Sequence, residues 1–392
     1  MRYDYDVIVV GARVAGASTA MLLARAGYDV LLVDRAQMPS DTVSTHAVLR
    51  TGILQLKRWG LLDSLVATGT PPVDHITLGF GAERIPFEVR PDFGIATLYA
   101  PRRYVLDRLI LREAISEGVT FEGRTRLTDL VRDETGRTVG VQLENAGRAS
   151  QVRARMVVGA DGARSRLARL VDAPTRAYEE TPNTVHYAYY SGIEHPGFCF
   201  VFASGYNTGM IETNEGLTCV FVGTRHDRTS GWSGDPEGEF RTMLAESAPD
   251  VAALAADGHR ETPFHGMSHL PTFIRRPWGP GWALVGDAGC TRDPISAHGI
   301  SDALRDAELC ARSIDRSLRE PDEAAAAMTE YEAVRDRLAR PTFDEARALA
   351  HFEWEPEEAS ARMRVMSEAV REECRMLLEL PAWPGVDQAI SA

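Results

Sequence analysis

The residues best placed to do chemistry are glycines and acids at the ends of short apolar runs. Gly11-Ala12-Arg13-Val14-Ala15-Gly16 follows Asp6 to Val10, and Asp34, with Arg35 beside it, closes the run Val30 to Val33. A second turn, Gly159-Ala160-Asp161-Gly162, follows Met156 to Val158, and a third, Gly286-Asp287, follows Ala283 to Val285. Backbone N–H groups at a strand-to-helix turn attract a pyrophosphate, and an acid closing the next strand accepts hydrogen bonds from ribose hydroxyls. The first stretch therefore reads as a dinucleotide site. It departs from G-x-G-x-x-G at Arg13, where a glycine normally admits the phosphate closely. The phosphate then sits farther out or also meets the guanidinium.

Titratable side chains are fewer. His46 stands at a loop-to-helix junction with Arg50 soon after, and His298 lies between Pro294 and Gly299. His265 and His269 are four apart, but Pro263, Gly266 and Pro271 argue against a helix that would aim both at one metal.

These groups need elements to hold them. Periodicity predicts strand, turn, helix (Ala17 to Ala26) and strand for the first unit, and helices over 47–62 and from Arg103 to about Ser116. Val119 to Val158 reads as strands joined by turns at 133–136 and 145–147. From Asn183 to Arg225, aromatic and β-branched residues alternate with small or polar ones between glycines, which predicts antiparallel strands forming one wall of a substrate pocket. Tyr187, Phe202 and Arg225 are its candidate substrate contacts. Phe240 to Leu254 reads as a helix and 263–277 as an irregular strand. After Asp287, a loop with Pro294 leads to a helix starting near Ala297 to Gly299, whose free N–H groups stabilise negative charge. The stretch 321–380 reads as helical, with Met363, Met366, Val370, Cys374 and Leu377 on one apolar face.

A chain of 392 residues has room for two domains. Its net charge of -13 argues against nucleic acid or an anionic membrane as main partner. Five scattered cysteines without a C-x-x-C pair indicate neither a disulfide framework nor zinc. The chain enters its first strand without an apolar leader, and no apolar run reaches the roughly 18 residues of a membrane helix. A soluble, cytoplasmic protein is expected.

The three turns, in this order and spacing, resemble the FAD motifs of the para-hydroxybenzoate hydroxylase type of flavoprotein, the group A monooxygenases and their relatives. Arg103-x-x-Leu106-Asp107 is similar to the helix-borne arginine motif these proteins carry between the first two turns. The resemblance spans about residues 5–310. It implies an α/β fold: a Rossmann-like FAD-binding domain (1–180 with 280–325), an inserted antiparallel β-sheet substrate domain (181–279) and C-terminal helices (326–392). It further implies that Gly11, Ala15 and Gly16 line the FAD pyrophosphate, with Asp34 at the adenosine ribose and Arg103 near the phosphates. Asp161 belongs to a motif serving FAD and NAD(P)H. Gly286 and Asp287 hold the ribityl chain or phosphate, and the stretch through Pro294, Gly299 and Ile300 faces the flavin. Arg13 and the run Pro294-Ile295-Ser296-Ala297-His298-Gly299 depart from the family pattern. His298 is thereby expected near the isoalloxazine, and His46, Arg50 and His298 are the catalytic candidates.

The resemblance implies a monomeric or homodimeric enzyme that uses NADPH or NADH to reduce FAD and oxygenates an aromatic or polyketide-like molecule of secondary metabolism through a flavin C4a-hydroperoxide. The halogenase signature Trp-x-Trp-x-Ile-Pro is absent. Geranylgeranyl reductases share the architecture, but Ser44-Thr45-His46 stands where they have a cysteine-glycine loop, so alkene reduction is the alternative. A non-catalytic flavin-binding protein is the remaining one.

Overall fold

A computed structural model describes residues 2–44, 46–194, 197–229, 231–232 and 234–385. Thr45, part of the reductase comparison above, lies outside them. The central sheet aligns five parallel strands in the order Trp282–Leu284, Arg148–Gly159, Tyr5–Val10, Val30–Val33 and Thr120–Glu122. Their inner segments are continuous Val, Ile and Leu because helices and a hairpin cover both faces, and Val7, Ile8, Val9 and Val30 are fully buried. The strand Arg148–Gly159 serves two partners. Its first half pairs antiparallel with Thr138–Asn145, and its second half runs parallel to Tyr5–Val10.

The second sheet contains Asn183–Ser191, Thr218–Arg225, Tyr206–Glu212 and Phe198–Ala203 in spatial order, consecutive pairs antiparallel. Residues 75–88, which the sequence reading left inside the span 1–180, add His75–Phe80 and Glu83–Glu88 to its edge. The alternation of side chains sorts the residues onto two faces. Ala188, Tyr190, Val201, Met210, Val220 and Val222 face the helices Pro236–Ser247 and Pro249–Asp257. Tyr187, Tyr189, Phe198, Cys219 and Phe221 join the core of the central sheet. The helix expected over 240–254 is two helices, because Pro249 forces Ala248 out of helical geometry (φ -153°, ψ 81°).

Helices Ala324–Leu349 and Pro356–Glu379 follow, interrupted around 350–355. Their attachment is partly ionic. Arg305, wholly buried on the helix Gly299–Arg319, pairs with Asp302 (2.9 Å), Asp306 (2.7 Å) and Glu373 (3.2 Å), while Arg292 pairs with Asp302 (2.8 Å). Burial pushes the Glu373 carboxyl up to about 7, against the pull of Arg305. Among the described residues, no helix is long and apolar enough to cross a membrane.

Removing one member of such a cluster strands buried charge. Arg305→Met should destabilise the protein by about 3–5 kcal/mol, read from urea unfolding; a loss below about 1 kcal/mol would mean that the acids are protonated or hydrated.

Candidate active site

The first turn is built by close backbone approach. Gly11 has φ +108°, and a Cβ there would come within 2.3 Å of the Ala160 carbonyl oxygen. A Cβ on Gly16 would lie 1.8 Å from the Gly11 oxygen, and one on Gly286 would lie 2.8 Å from the Ala15 side chain. The three turns that sequence reading singled out are therefore in mutual contact. The helix Val14–Arg25 begins here, and its first N–H groups have no partner within the helix. Asp34 accepts from Ala12 N (2.8 Å) and Ala36 N (2.7 Å), which ties the turn to the strand end. Arg35 next to it is exposed.

Arg13 does not point its guanidinium at the turn alone. It donates to Asp107 Oδ2 (2.8 Å), Ser40 O (3.2 Å) and Ser40 Oγ (3.1 Å). Asp107, fully buried, also pairs with Arg103 (3.1 Å) on the helix Arg103–Ser116. Burial raises the Asp107 carboxyl while Arg103 and Arg13 lower it. Asp161 accepts from Ser165 Oγ (2.5 Å) and Arg166 N (2.6 Å), so its carboxylate shapes the second turn and starts the helix Arg166–Leu170.

Asp287 is open to solvent although Gly286 and Ala288 are buried. The groups around it still desolvate its carboxyl and push it up to about 6, with Arg103 opposing. Gly299 is likewise exposed at the start of the helix Gly299–Arg319, and a Cβ there would meet nothing within 4 Å. Ile300 behind it is buried. Before that helix, Asp293 is completely buried and accepts from Thr181 Oγ1 (2.6 Å), Asn183 Nδ2 (2.6 Å) and Ile295 N (3.0 Å). It fixes the Pro294–Ser296 turn to the start of the second sheet. His298 Nδ1 bonds the Ser296 carbonyl, its buried Nε2 has no partner among the described residues, and burial pushes the imidazole down to about 4.

One face of the second sheet packs into the core of the FAD-domain sheet. One row across it reads Leu78, Phe200, Gly209, Phe221, Tyr187 and His265. Gly209 leaves the room that the Phe221 ring occupies, since a Cβ would come within 2.9 Å of that ring. Tyr187 stacks on His265 (5.2 Å) and accepts from Ser44 N (3.2 Å). Beside it the Tyr189 hydroxyl meets His46 Nε2, and the Arg102 guanidinium stands 3.8 Å over the Tyr189 ring. His46 has φ +68°, is 1% exposed, and keeps a buried Nδ1 with no partner among the described residues; burial, with Arg102 adding to it, pushes it down to about 3.

Three expected contacts lie elsewhere. Arg50 spends its guanidinium on the carbonyls of Asp92 (3.1 Å), Ile95 (2.6 Å) and Arg90 (2.9 Å), because it opens a helix that packs on that loop. Phe202 is sealed between Phe80 (5.8 Å) and Trp354 (5.9 Å). Arg225 ends its strand at the surface, paired with Asp227 (3.2 Å) and Glu353 (3.4 Å).

Residues 4–346 match the family model of an FAD binding domain. The chain belongs to this family. It is an FAD-dependent oxidoreductase of the para-hydroxybenzoate hydroxylase type. Its relatives include the kynurenine 3-monooxygenase of Salinispora arenicola, 28% identical over 358 residues (84% of this chain, 76% of the relative). They also include the digeranylgeranylglycerophospholipid reductase of Methanocella arvoryzae, 27% identical over 362 residues (87% and 85%). Among solved structures, P. aeruginosa PqsL in complex with 2-aminobenzoylacetate has a TM-score of 0.81 at 23% identity, covering 92% of this chain and 99% of that one.

The residues present fit FAD. The glycine turn starts a helix whose first N–H groups have no partner within it, Asp287 and Gly299 are exposed with open space at Gly299, and among the described residues His298 Nε2 has no partner. Sequence reading missed Tyr189, Arg102 and Asp293. Tyr189 was findable by its alternation with Tyr187, and Asp293 by its place before Pro294 as a capping acid; nothing in the sequence marks Arg102 over a tyrosine.

Asp287→Ala should weaken FAD retention about tenfold or more, measured by FAD released on dialysis; full occupancy would remove Asp287 from the site. The two buried imidazoles set an acid limit. Their folded values lie below the ordinary 6.5, so the unfolded chain takes protons first as pH falls, and stability present above pH 6.5 is lost towards 3–4. At pH 5 each should lower stability by roughly 2 kcal/mol relative to pH 8. His46→Asn and His298→Gln should each flatten that dependence in urea melts. An unchanged pH 8-to-5 difference would show that neither imidazole is held neutral.

Proposed function

We propose that this chain is an NAD(P)H-dependent monooxygenase that oxygenates an aromatic or polyketide-like small molecule of secondary metabolism, acting as a cytoplasmic monomer or homodimer. The observation that carries the reading is the aromatic row Phe200, Phe221 and Tyr187, packed into one core with Ala15 of the first turn and Ile300 beside Gly299, with the His46–Tyr189 pair next to it. Such a wall stacks on a planar ring and keeps water from it. FAD, when bound, supplies the redox chemistry. The chain's own part is positioning and proton handling. Gly11, Ala15 and Gly16 present N–H groups to phosphate, Asp34 and Asp287 accept from hydroxyls, and the N-terminus of Gly299–Arg319 favours negative charge. His46, neutral at pH 7, holds or passes a proton between Nε2 and the Tyr189 hydroxyl. Names among the relatives support an aromatic ring: a kynurenine 3-monooxygenase, and structures with 2-aminobenzoylacetate or aklavinone bound.

The second reading, reduction of an isoprenoid-like alkene, has its own support in the digeranylgeranylglycerophospholipid reductase relatives. Against it stands His46, which with Ser44 occupies the loop where the reductases carry cysteine and glycine.

Incubating the holoenzyme with NADPH or NADH, a panel of phenols and anthraquinone-type polyketides, and ¹⁸O₂ separates the two. One ¹⁸O atom in a product, with reduced-nicotinamide consumption stimulated by that ligand, is the expected result. Products two mass units heavier from alkenes, with no ¹⁸O in any aromatic, would establish the reductase instead.

A further inference from the structure

Residues 36–44 hold no helix or strand, and His46 shortly after them meets the substrate wall. Most of its anchors are side chains reaching in from other elements. Arg13 donates to the Ser40 carbonyl and hydroxyl, Arg102 donates to Asp41 (2.6 Å), and Tyr187 accepts from Ser44 N. Of these, Arg13 is the one whose backbone belongs to the dinucleotide turn: it is the residue at the N-cap of the helix Val14–Arg25. Its planar fork spans two elements at once, Asp107 on one side and Ser40 on the other. A solvated surface substitution would not place a guanidinium against a carboxylate that is wholly buried.

From Ser40 the contacts run on without a gap. Asp41 holds Arg102, Arg102 lies over the Tyr189 ring, and the Tyr189 hydroxyl meets His46. The far end carries two buried polar atoms without partners among the described residues, Arg102 Nε and His46 Nδ1. We infer that Arg13 is a positioning residue: in place of the usual glycine, it latches residues 38–44 to the dinucleotide turn and so couples cofactor occupancy to the placement of Arg102, Tyr189 and His46. The guanidinium thus serves the loop and not the phosphates.

Hydrogen–deuterium exchange on the full chain, with and without FAD, tests this without measuring turnover, so failure of the oxygenation reading leaves its outcome intact. Arg13→Gly and Ser40→Ala should each speed exchange across 38–44 by about tenfold or more, while the strands 30–33 and 183–191 keep wild-type protection. FAD should slow exchange at 11–16 and 38–44 in the wild type but only at 11–16 in Ser40→Ala, whose FAD affinity stays within about threefold of wild type. Arg13→Lys keeps the charge, loses the fork, and should behave as Arg13→Gly. The ¹³Cζ resonance of Tyr189, assigned through Tyr189→Phe, should move in all three variants. Wild-type exchange at 38–44 in Ser40→Ala, or an unmoved Tyr189 resonance, overturns the inference. So does loss of FAD binding in Arg13→Gly together with wild-type exchange of its FAD-free form, because that pattern assigns the guanidinium to the phosphates. Should Arg13→Gly fail to fold, Ser40→Ala decides alone.

Discussion

The whole site depends on how near three backbone turns approach one another. The strands Tyr5–Val10, Arg148–Gly159 and Trp282–Leu284 are parallel neighbours, so each delivers its turn to the same edge of the sheet. At that edge, Gly11 touches Ala160 and Gly286 touches Ala15, at separations that a single added methyl would violate. Two consequences follow from this crowding. The first helix starts there with N–H groups that have no partner within the helix, and Asp287 stands at the same edge, its carboxyl raised by the groups packed around it.

The second sheet owes its chemistry to a different rule. A strand shows alternate residues to opposite faces, so a run of tyrosines and phenylalanines divides into a half that packs under two helices and a half that faces the FAD-binding part. Tyr187 and Tyr189 fall on the second half together with Phe221. Asp293 then joins the two parts through Thr181 and Asn183, which makes the turn before the helix Gly299–Arg319 a rigid corner. The buried cluster around Arg305 holds the same helix from behind. The helix end that offers its N–H groups is thus fixed on both sides, as a preorganised charge-stabilising group requires.

The dinucleotide turn, the Arg103–Ser116 helix and the antiparallel strands of 183–225 were legible in the chain because each rests on local rules. Glycine where a turn needs it, apolar residues three and four apart, and strict alternation are all short-range patterns. Three positions read less well, for one common reason. Arg50, Phe202 and Arg225 have suitable side chains in suitable segments, but an arginine's reach and a ring's neighbours are settled by what folds against them. Loop carbonyls of 90–95 captured Arg50, Trp354 captured Phe202, and Glu353 captured Arg225.

The sequence by itself determined the sheet-and-turn framework, which follows from backbone geometry and residue spacing within about thirty positions of each motif, and the family with its FAD domain, through the order of three such turns along the chain. Only the tertiary structure decided which polar groups meet. His46 pairs with Tyr189, Arg102 covers that ring, and Arg13 turns from the phosphate turn to Asp107 and Ser40. Those meetings join residues 27 to 143 positions apart. No local rule reaches that far, because each contact is made by folding distant helices, loops and strands together and not by the preferences of the chain around either residue.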